Sequence, residues 1–367
     1  MYLKHLSLQN FRSYTKSQFD FNEGITVIVG PNTSGKTNVL EAISYLTTGD
    51  SFKTEKDTDT IKFGQEVARI SGKILPINTN TTNKDNTETD LEFVVAQTTK
   101  KYLVNGVSKR RADFAGNITS VIFAPSDLDI VVGSPSLRRR VLDEALFQTD
   151  RNYRVASALY IKALRQRNAM LEQIRDVGAN RSRLEYWDTL VIDHGGYITK
   201  KREEVIAYVN AAQKDVFDFS MHYDKSIISQ ERLLQYKDAE VGAGVTLVGP
   251  HRDDFSMRMN NEITRLRSSE KNFGEARDVK LFGSRGQQRL VILQLKLLII
   301  SLIEKANKIR PILLLDDIFS ELDDSHIDLV SEMIGKQQTI LTTTHQEFIG
   351  KSLKKDAVVI ELKIQSV

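Results

Sequence analysis

The stretch ITVIVGPNTSGKTNVLEAISYLTTG, residues 25–49, carries three local signals in a row. ITVIVG is a short continuous apolar run, the pattern of a strand buried on both faces. NVLEAISYLTT follows at helical spacing: Val39, Leu40, Ile43 and Leu46 share one face, and Gly49 is a natural stop. Between them, GPNTSGKT fits G-x-x-x-x-G-K-[ST]. In such a loop successive backbone N–H groups turn inward and cradle phosphate oxygens, and the following helix adds its dipole. Gly30, Pro31, Asn32, Thr33, Ser34 and Gly35 form the loop. Lys36 reaches the β- and γ-phosphates, and the Thr37 hydroxyl is placed to ligate Mg²⁺. Strand before and helix after are the context the motif needs, so the stretch predicts a nucleotide site in an α/β domain.

A second apolar strand ends in acids. In PILLLDD (residues 311–317), Asp316 and Asp317 stand at the strand's carboxyl edge. Asp316 can hold Mg²⁺ directly or through water. Asp317 can orient or deprotonate an attacking water. TTTHQ (residues 342–346) closes another apolar strand, and His345 there is either structural or a group that polarises a γ-phosphate. GPHRDD (residues 249–254) contains a kinase-like His-Arg-Asp, but the Asn that must follow is missing, so a kinase is excluded.

The chain has 367 residues, a length for two domains or one with a large insertion. It has no cysteine, which rules out disulfides and thiolate metal sites and fits a cytoplasmic protein. The longest apolar run, LKLLIISLI, is broken by Lys296 and is too short for a membrane span. Residues 1–125 alternate strand and turn signals, and the polar segment 78–90 reads as a loop tip. Residues 133–240 read as almost wholly helical; strand signals return with VTLVG (residues 245–249), and a helix is expected from Ser325. Net charge is only +3, yet residues 133–183 hold eleven arginines and lysines against five acids. That segment is either a solvated helical face or a polyanion surface.

LFGSRGQQRLVILQLKLLII (residues 281–300) is a buried helix with an unusual start. Ser284, Gly286 and Gln287 sit where a helix needs one capping side chain.

Taken in order, the P-loop, Ser-x-Gly-Gln at a helix start, the strand with paired acids, SELD (residues 320–323) and His345 resemble ABC-type ATPases. The finer resemblance is to the RecF family, along nearly the whole chain. It rests on LQNFRSY, GPNTSGKTNVLEAI, GDSFKT through IKFG, FAPSDLDIVVGSPSLRRRVLD, YIKALRQRN, VTLVGPHRDD, GSRGQQRL and LLLDDIFSELD. The short insertion excludes a full SMC coiled coil. The resemblance implies an α/β, ABC-type (SMC/Rad50-like) P-loop ATPase head built from residues 1–130 and 245–367, with a mainly helical arm at 131–244. It implies ATP and Mg²⁺ as cofactors and an ATP-dependent, head-to-head homodimer. In that dimer Ser284, Gly286 and Gln287 would meet the partner's γ-phosphate and hold nothing in their own subunit.

The resemblance further implies that Thr37 and Asp316 serve the metal and that Lys36, Asp317 and His345 act in hydrolysis. SELD becomes a loop at the dimer interface, and Arg12 of NFRS a nucleotide contact or a packing residue. As partners it implies double-stranded DNA and single/double-strand junctions, bound without sequence preference, and RecR- and RecO-like mediators. DNA repair, replication, recombination and the SOS response are the implied setting. Lys109, Arg110 and Arg111 join the insertion as DNA candidates, although some arginines of SLRRR can instead pair with acids. Two departures stand out. Thr33 replaces a usual Gly, and Asp317 a usual Glu, which points to slow hydrolysis. The competing classes are an ABC transporter ATPase subunit and a non-hydrolysing nucleotide-binding scaffold.

Overall fold

A computed structural model describes residues 1–54, 56–76, 88–259, 276–318, 334–344 and 357–363. The expected helix at Ser325, SELD, His345 and most of the 78–90 loop lie outside them. In chain order the elements begin β1 (Tyr2–Phe11), β2 (Tyr14–Asp20), β3 (Ile25–Val29) and α1 (Lys36–Thr48). Next come β4 (Val67–Leu75), β5 (Thr89–Ala96), β6 (Lys100–Val104), β7 (Val107–Lys109), α2 (Arg111–Phe114) and β8 (Ser120–Phe123). Then follow α3 (Asp129–Val132), α4 (Pro135–Thr149), α5 (Arg151–Val177), α6 (Glu185–Ala211), β9 (Phe219–Asp224) and α7 (Gln230–Ala243). The last are β10 (Asp254–Met259), β11 (Arg277–Asp278), α8 (Val279–Phe282), α9 (Arg285–Asn307), β12 (Ile312–Asp316), β13 (Thr339–Thr343) and β14 (Ala357–Glu361).

Two compact units result: Met1–Pro125 with Ile300–Val367, and Ser126–Ile299. The first holds two sheets. One is antiparallel, in the order β2-β1-β4-β5-β6-β7; the other is parallel, in the order β14-β3-β13-β12-β8. Helix α1 is buried on nearly every side because it touches β4 and β5 of one sheet and β12 and β13 of the other. Val39, Leu40, Ile43 and Leu46 are all fully buried there, and Gly49 closes the helix in a left-handed conformation at φ 71°. Strand β1 alternates inward and outward with two breaks, between Leu3 and Leu6 and between Leu8 and Phe11. Its register shifts between Leu3 and His5, so the inward set runs Leu3, Leu6, Leu8.

The second unit is built on α4–α7 and a small antiparallel sheet, β11-β10-β9. Here the sequence reading needs two corrections. Residues 219–224 are strand, not helix. Residues 245–249 are not strand: side chains take over their backbone donors. Thr246 N–H donates to Asn168 Oδ1 (2.9 Å), Leu247 N–H to Glu240 Oε1 (2.8 Å) and Gly249 N–H to Ser226 Oγ (3.1 Å). Residues 245–299 also cluster with 126–244 in this compact unit.

GPHRDD explains that clustering. Asp253 is fully buried and accepts hydrogen bonds from Ser226 N–H (2.7 Å), the Tyr223 hydroxyl (2.5 Å) and the Arg202 guanidinium (3.3 Å). Arg202 also donates twice to Asp143 (2.8 and 3.0 Å) and to the Pro250 carbonyl (2.7 Å). Arg138 grips Asp254 with two bonds (2.6 and 2.9 Å), and Arg139 donates to the Asp253 carbonyl (2.7 Å). His251 sits between the Tyr160 hydroxyl and the Thr246 carbonyl, and burial pushes its pKa down to about 4, which keeps it neutral. The segment is a buried polar corner joining α4, α5, α6 and the antiparallel β9–β10 pair. No described helix is long and apolar enough to cross a membrane.

Candidate nucleotide site

The site forms where adjacent parallel strands end. β3, β13 and β12 lie side by side, so Gly30, Thr343 and Asp316 share one edge of the sheet, where α/β proteins place their ligands. Gly30 N–H donates to the Thr343 carbonyl (3.3 Å), which pins the loop to β13.

Within the loop two glycines have separate reasons. At Gly35 φ is 98°, and a Cβ would lie 2.7 Å from the Tyr14 hydroxyl, which itself donates to the Gly35 carbonyl (3.1 Å). At Gly30 a Cβ would meet Ser34 Oγ at 2.6 Å. Ser34 Oγ is buried and finds no hydrogen-bond partner among the described residues. An orphaned buried hydroxyl inside a phosphate-type loop fits a ligand that brings acceptors.

Lys36 is buried, and its ammonium donates to the Gly30 (2.7 Å) and Pro31 (3.0 Å) carbonyls. Burial holds its pKa below the ordinary lysine value, against the pull of Asp317 and Asp316. The Thr37 hydroxyl donates to both Asp316 oxygens (3.0 and 2.8 Å), and the Thr342 hydroxyl donates to Oδ1 (2.7 Å). A hydroxyl and a carboxylate are hard oxygen donors of the kind Mg²⁺ takes when phosphates and water complete its shell. Among the described residues there is no group of three or more His, Cys, Asp or Glu that could hold a metal ion by itself. Asp317 is the next residue and donates its N–H to the Thr342 carbonyl (3.2 Å).

Strain concentrates here. Arg12, Thr33 and Asp317 all take left-handed backbone, at φ 53°, 73° and 49°. Asp tolerates that region, but a β-branched Thr does not. Thr33→Gly should therefore raise stability by about 1 kcal/mol, the relief of strain less the entropy that Gly adds to the unfolded chain. Urea titration checks this; an unchanged or lower midpoint means that neighbouring contacts hold Thr33 there without strain.

Arg12 is committed within its own chain. Its guanidinium donates twice to the fully buried Glu41 on α1 (2.9 and 2.6 Å) and once to the Asp59 carbonyl (2.8 Å). Ser51, from the GDSFKT block, donates to the same Glu41 (2.5 Å). Glu41 escaped the sequence reading, because its partners lie 29 and 10 residues away.

The Ser284 turn belongs to the second unit, and its geometry corrects one expectation. It does hold something of its own. Ser284 N–H donates to Gln287 Oε1 (2.9 Å), and Gln287 N–H donates to Ser284 Oγ (3.2 Å), a reciprocal capping box. The Ser-x-x-Gln spacing was the available signal. Gly286 is different. A Cβ there would find only Ser284 Oγ, at 3.9 Å, so no contact among the described residues demands a glycine.

The basic candidates also divide. Arg138, Arg139 and Arg167 face inward; Arg140 pairs with Glu144 and Arg181 with Asp238. Lys162, Arg165 and Arg183 are exposed in the second unit, as are Lys109 and Arg110 in the first. Arg111 donates to the Thr48 carbonyl and pairs with Asp50.

Residues 2–364 match the model of the RecF/RecN/SMC N-terminal domain. The chain is 34% identical, over 388 aligned positions, to the DNA replication and repair protein RecF of Bacillus cereus strain G9842, covering 99% of this chain and 97% of that one. The chain belongs to the RecF family. A RecF of Bacillus thuringiensis strain Al Hakam is 33% identical over the same shares. Among solved structures it is similar to the recombination mediator protein RecF-ATP in the RecFOR pathway, with 29% identity and a TM-score of 0.82 over 94% of this chain and 92% of that one. A second, RecF-ATPrS, gives 0.80 over 95% and 93%. The α/β, ABC-type fold implied by the sequence is the fold found.

Proposed function

We propose that this RecF-family chain is an ATP-dependent DNA-binding protein of recombinational repair and replication-fork maintenance, acting as a pair of copies closed by ATP. Lys36 and the loop amides bind the triphosphate, and Thr37 with Asp316 would hold Mg²⁺, which supplies charge neutralisation at the phosphates. Asp317 takes the proton of an attacking water. Its carboxylate is one methylene shorter than glutamate, so turnover is slow beside the ~10 per second of a median enzyme, as suits a switch. His345, outside the described residues, would sense the γ-phosphate. Lys162, Arg165, Arg183, Lys109 and Arg110 are the basic groups left to meet DNA phosphates, duplex or junction, without sequence preference. RecO- and RecR-like mediators are the partners, and the cytoplasm the compartment. The ATPase head would comprise 1–130 and 245–367, with 131–244 as its arm. This assignment follows the chemistry, since the helix carrying the Ser284 turn starts in one compact unit and ends in the other.

One observation supports the paired reading above the others. Gly286 stands in the first turn of a helix, where it costs about 1 kcal/mol against Ala, and a Cβ there would meet only one ordinary contact among the described residues, Ser284 Oγ at 3.9 Å. A glycine without an internal reason suits close approach by a group from outside, and the phosphate of a second copy is that group. Sizing of the full chain with ATP, ADP or no nucleotide tests it. ATP alone should give a dimer, and Ser284→Arg should remain monomeric while still binding ATP. A Ser284→Arg chain that dimerises normally removes the paired model. If ATP never becomes ADP, the protein is a nucleotide-binding scaffold instead.

A further inference from the structure

Immediately before the Ser284 turn stands a short apolar feature that the nucleotide chemistry does not use. Helix α8 is anchored by Val279, which is fully buried, and capped by Asp278, whose Oδ1 accepts from Lys280 N–H (2.7 Å). Its other end faces outward: Leu281 is 73% and Phe282 61% exposed. Two adjacent large apolar side chains in water are costly unless something covers them. Arg277 lies over the Phe282 ring at 6.0 Å, and Lys280 and Arg285 flank the pair, so the patch is apolar with a basic rim.

This patch is fixed to the turn. Buried Gln288, in the first turns of α9, donates its side-chain amide to the Val279 (3.3 Å) and Gly283 (3.2 Å) carbonyls, and Gly283 N–H donates to Val279 (3.0 Å). Helix α8, Gly283 and the capped turn therefore form one braced block. Whatever meets Gly286 from outside also comes within reach of Leu281 and Phe282.

We infer that Leu281 and Phe282 are apolar anchors of the ATP-closed pair, docking on a second copy of this chain beside its 30–37 loop. This rests on the paired reading above. It adds to it a surface that contributes affinity through desolvation, where the turn contributes recognition of phosphate. The occupant is a second copy because the patch is continuous with the turn and held rigidly to it.

The chain has no cysteine, so Lys280→Cys, at the rim of the patch, places a single thiol beside both anchors without removing either. Maleimide labelling of that full-length variant is followed without nucleotide, with ADP, with ATP, and with duplex DNA alone, while sizing runs in parallel. Expected is fast labelling without nucleotide or with ADP and several-fold protection with ATP, in step with dimer formation. Adding Ser284→Arg should abolish the protection. The double variant Leu281→Ser/Phe282→Ser should raise the dimer dissociation constant about tenfold or more, since a few desolvated anchors carry most of an interface's energy. A wild-type-like dimer from the double variant, or full labelling within an ATP-formed dimer, overturns the inference and leaves the paired reading standing. Protection by DNA alone assigns the patch to DNA and also overturns it. If the unmodified chain forms no dimer with ATP, the paired reading itself has failed.

Discussion

Asp253→Ala should destabilise the protein by about 3–5 kcal/mol, the cost of leaving a buried cation and its neighbours without their carboxylate. Asp253 is wholly enclosed and serves four groups: Ser226 N–H, the Tyr223 and Thr199 hydroxyls, and Arg202. Its removal orphans a backbone donor and a phenol in the dry interior, each worth about 1–3 kcal/mol. Arg202 keeps Asp143, so its charge is only half uncompensated. That sets the upper end of the range. Asp254→Ala is the contrast. Asp254 is also gripped by an arginine, yet it is partly open to water, so solvent replaces much of what Arg138 loses. Its cost should be smaller, about 1–2 kcal/mol. Urea unfolding followed by far-UV circular dichroism separates the two. If Asp253→Ala unfolds within about 1 kcal/mol of the wild type, the corner is not what holds the helices to the β9–β10 pair.

This corner also marks the limit of what the sequence makes legible. The P-loop, the strand before it and the helix after it are local: each residue's role follows from its neighbours in the chain. The β3 and β12 strands read correctly for the same reason, because parallel strands covered on both faces are apolar throughout. VTLVG looks the same in composition, but strand needs a strand partner. Its donors went instead to Asn168, Glu240 and Ser226, which no periodicity announces. Strand β9 hid in the opposite way: FSMHYD carries only two apolar side chains on its buried face, Phe219 and Met221, too few to stand out among helices. Arg12 and the SLRRR arginines were visible as cations. Whether a cation faces an acid or a phosphate depends on residues brought together by the fold, Glu41 in one case and Asp254 in another. The Ser284 turn lies between these extremes. Its capping box was written in the spacing, yet the same two side chains are those the family resemblance gives to a partner's phosphate. Both uses are compatible only if the box opens or shares its hydroxyl when phosphate arrives.

Lys36→Met should abolish measurable ATP binding, a loss of at least ~100-fold for removing a charge-assisted donor to two phosphates. The reason lies in what the ammonium does without ligand. It is buried, bonded to the Gly30 and Pro31 carbonyls, and held by burial below its ordinary pKa despite Asp316 and Asp317 nearby. A desolvated cation of this kind is poised for anions: a phosphate supplies the full countercharge that two carbonyl dipoles only approximate. The methionine stem fills the same volume, so the helix and its packing between two sheets persist, and unfolding should shift by no more than about 1–2 kcal/mol. Lys36→Arg should fail as well, since a planar fork cannot take the place of one compact ammionium-sized head between carbonyls 2.7 and 3.0 Å away. Titration with a fluorescent ATP analogue, beside urea unfolding of the same samples, separates lost binding from lost fold. A folded Lys36→Met chain that binds ATP within about threefold of the wild type, well under 1 kcal/mol, would remove Lys36 from the phosphate site. The loop would then be read as a structural glycine turn.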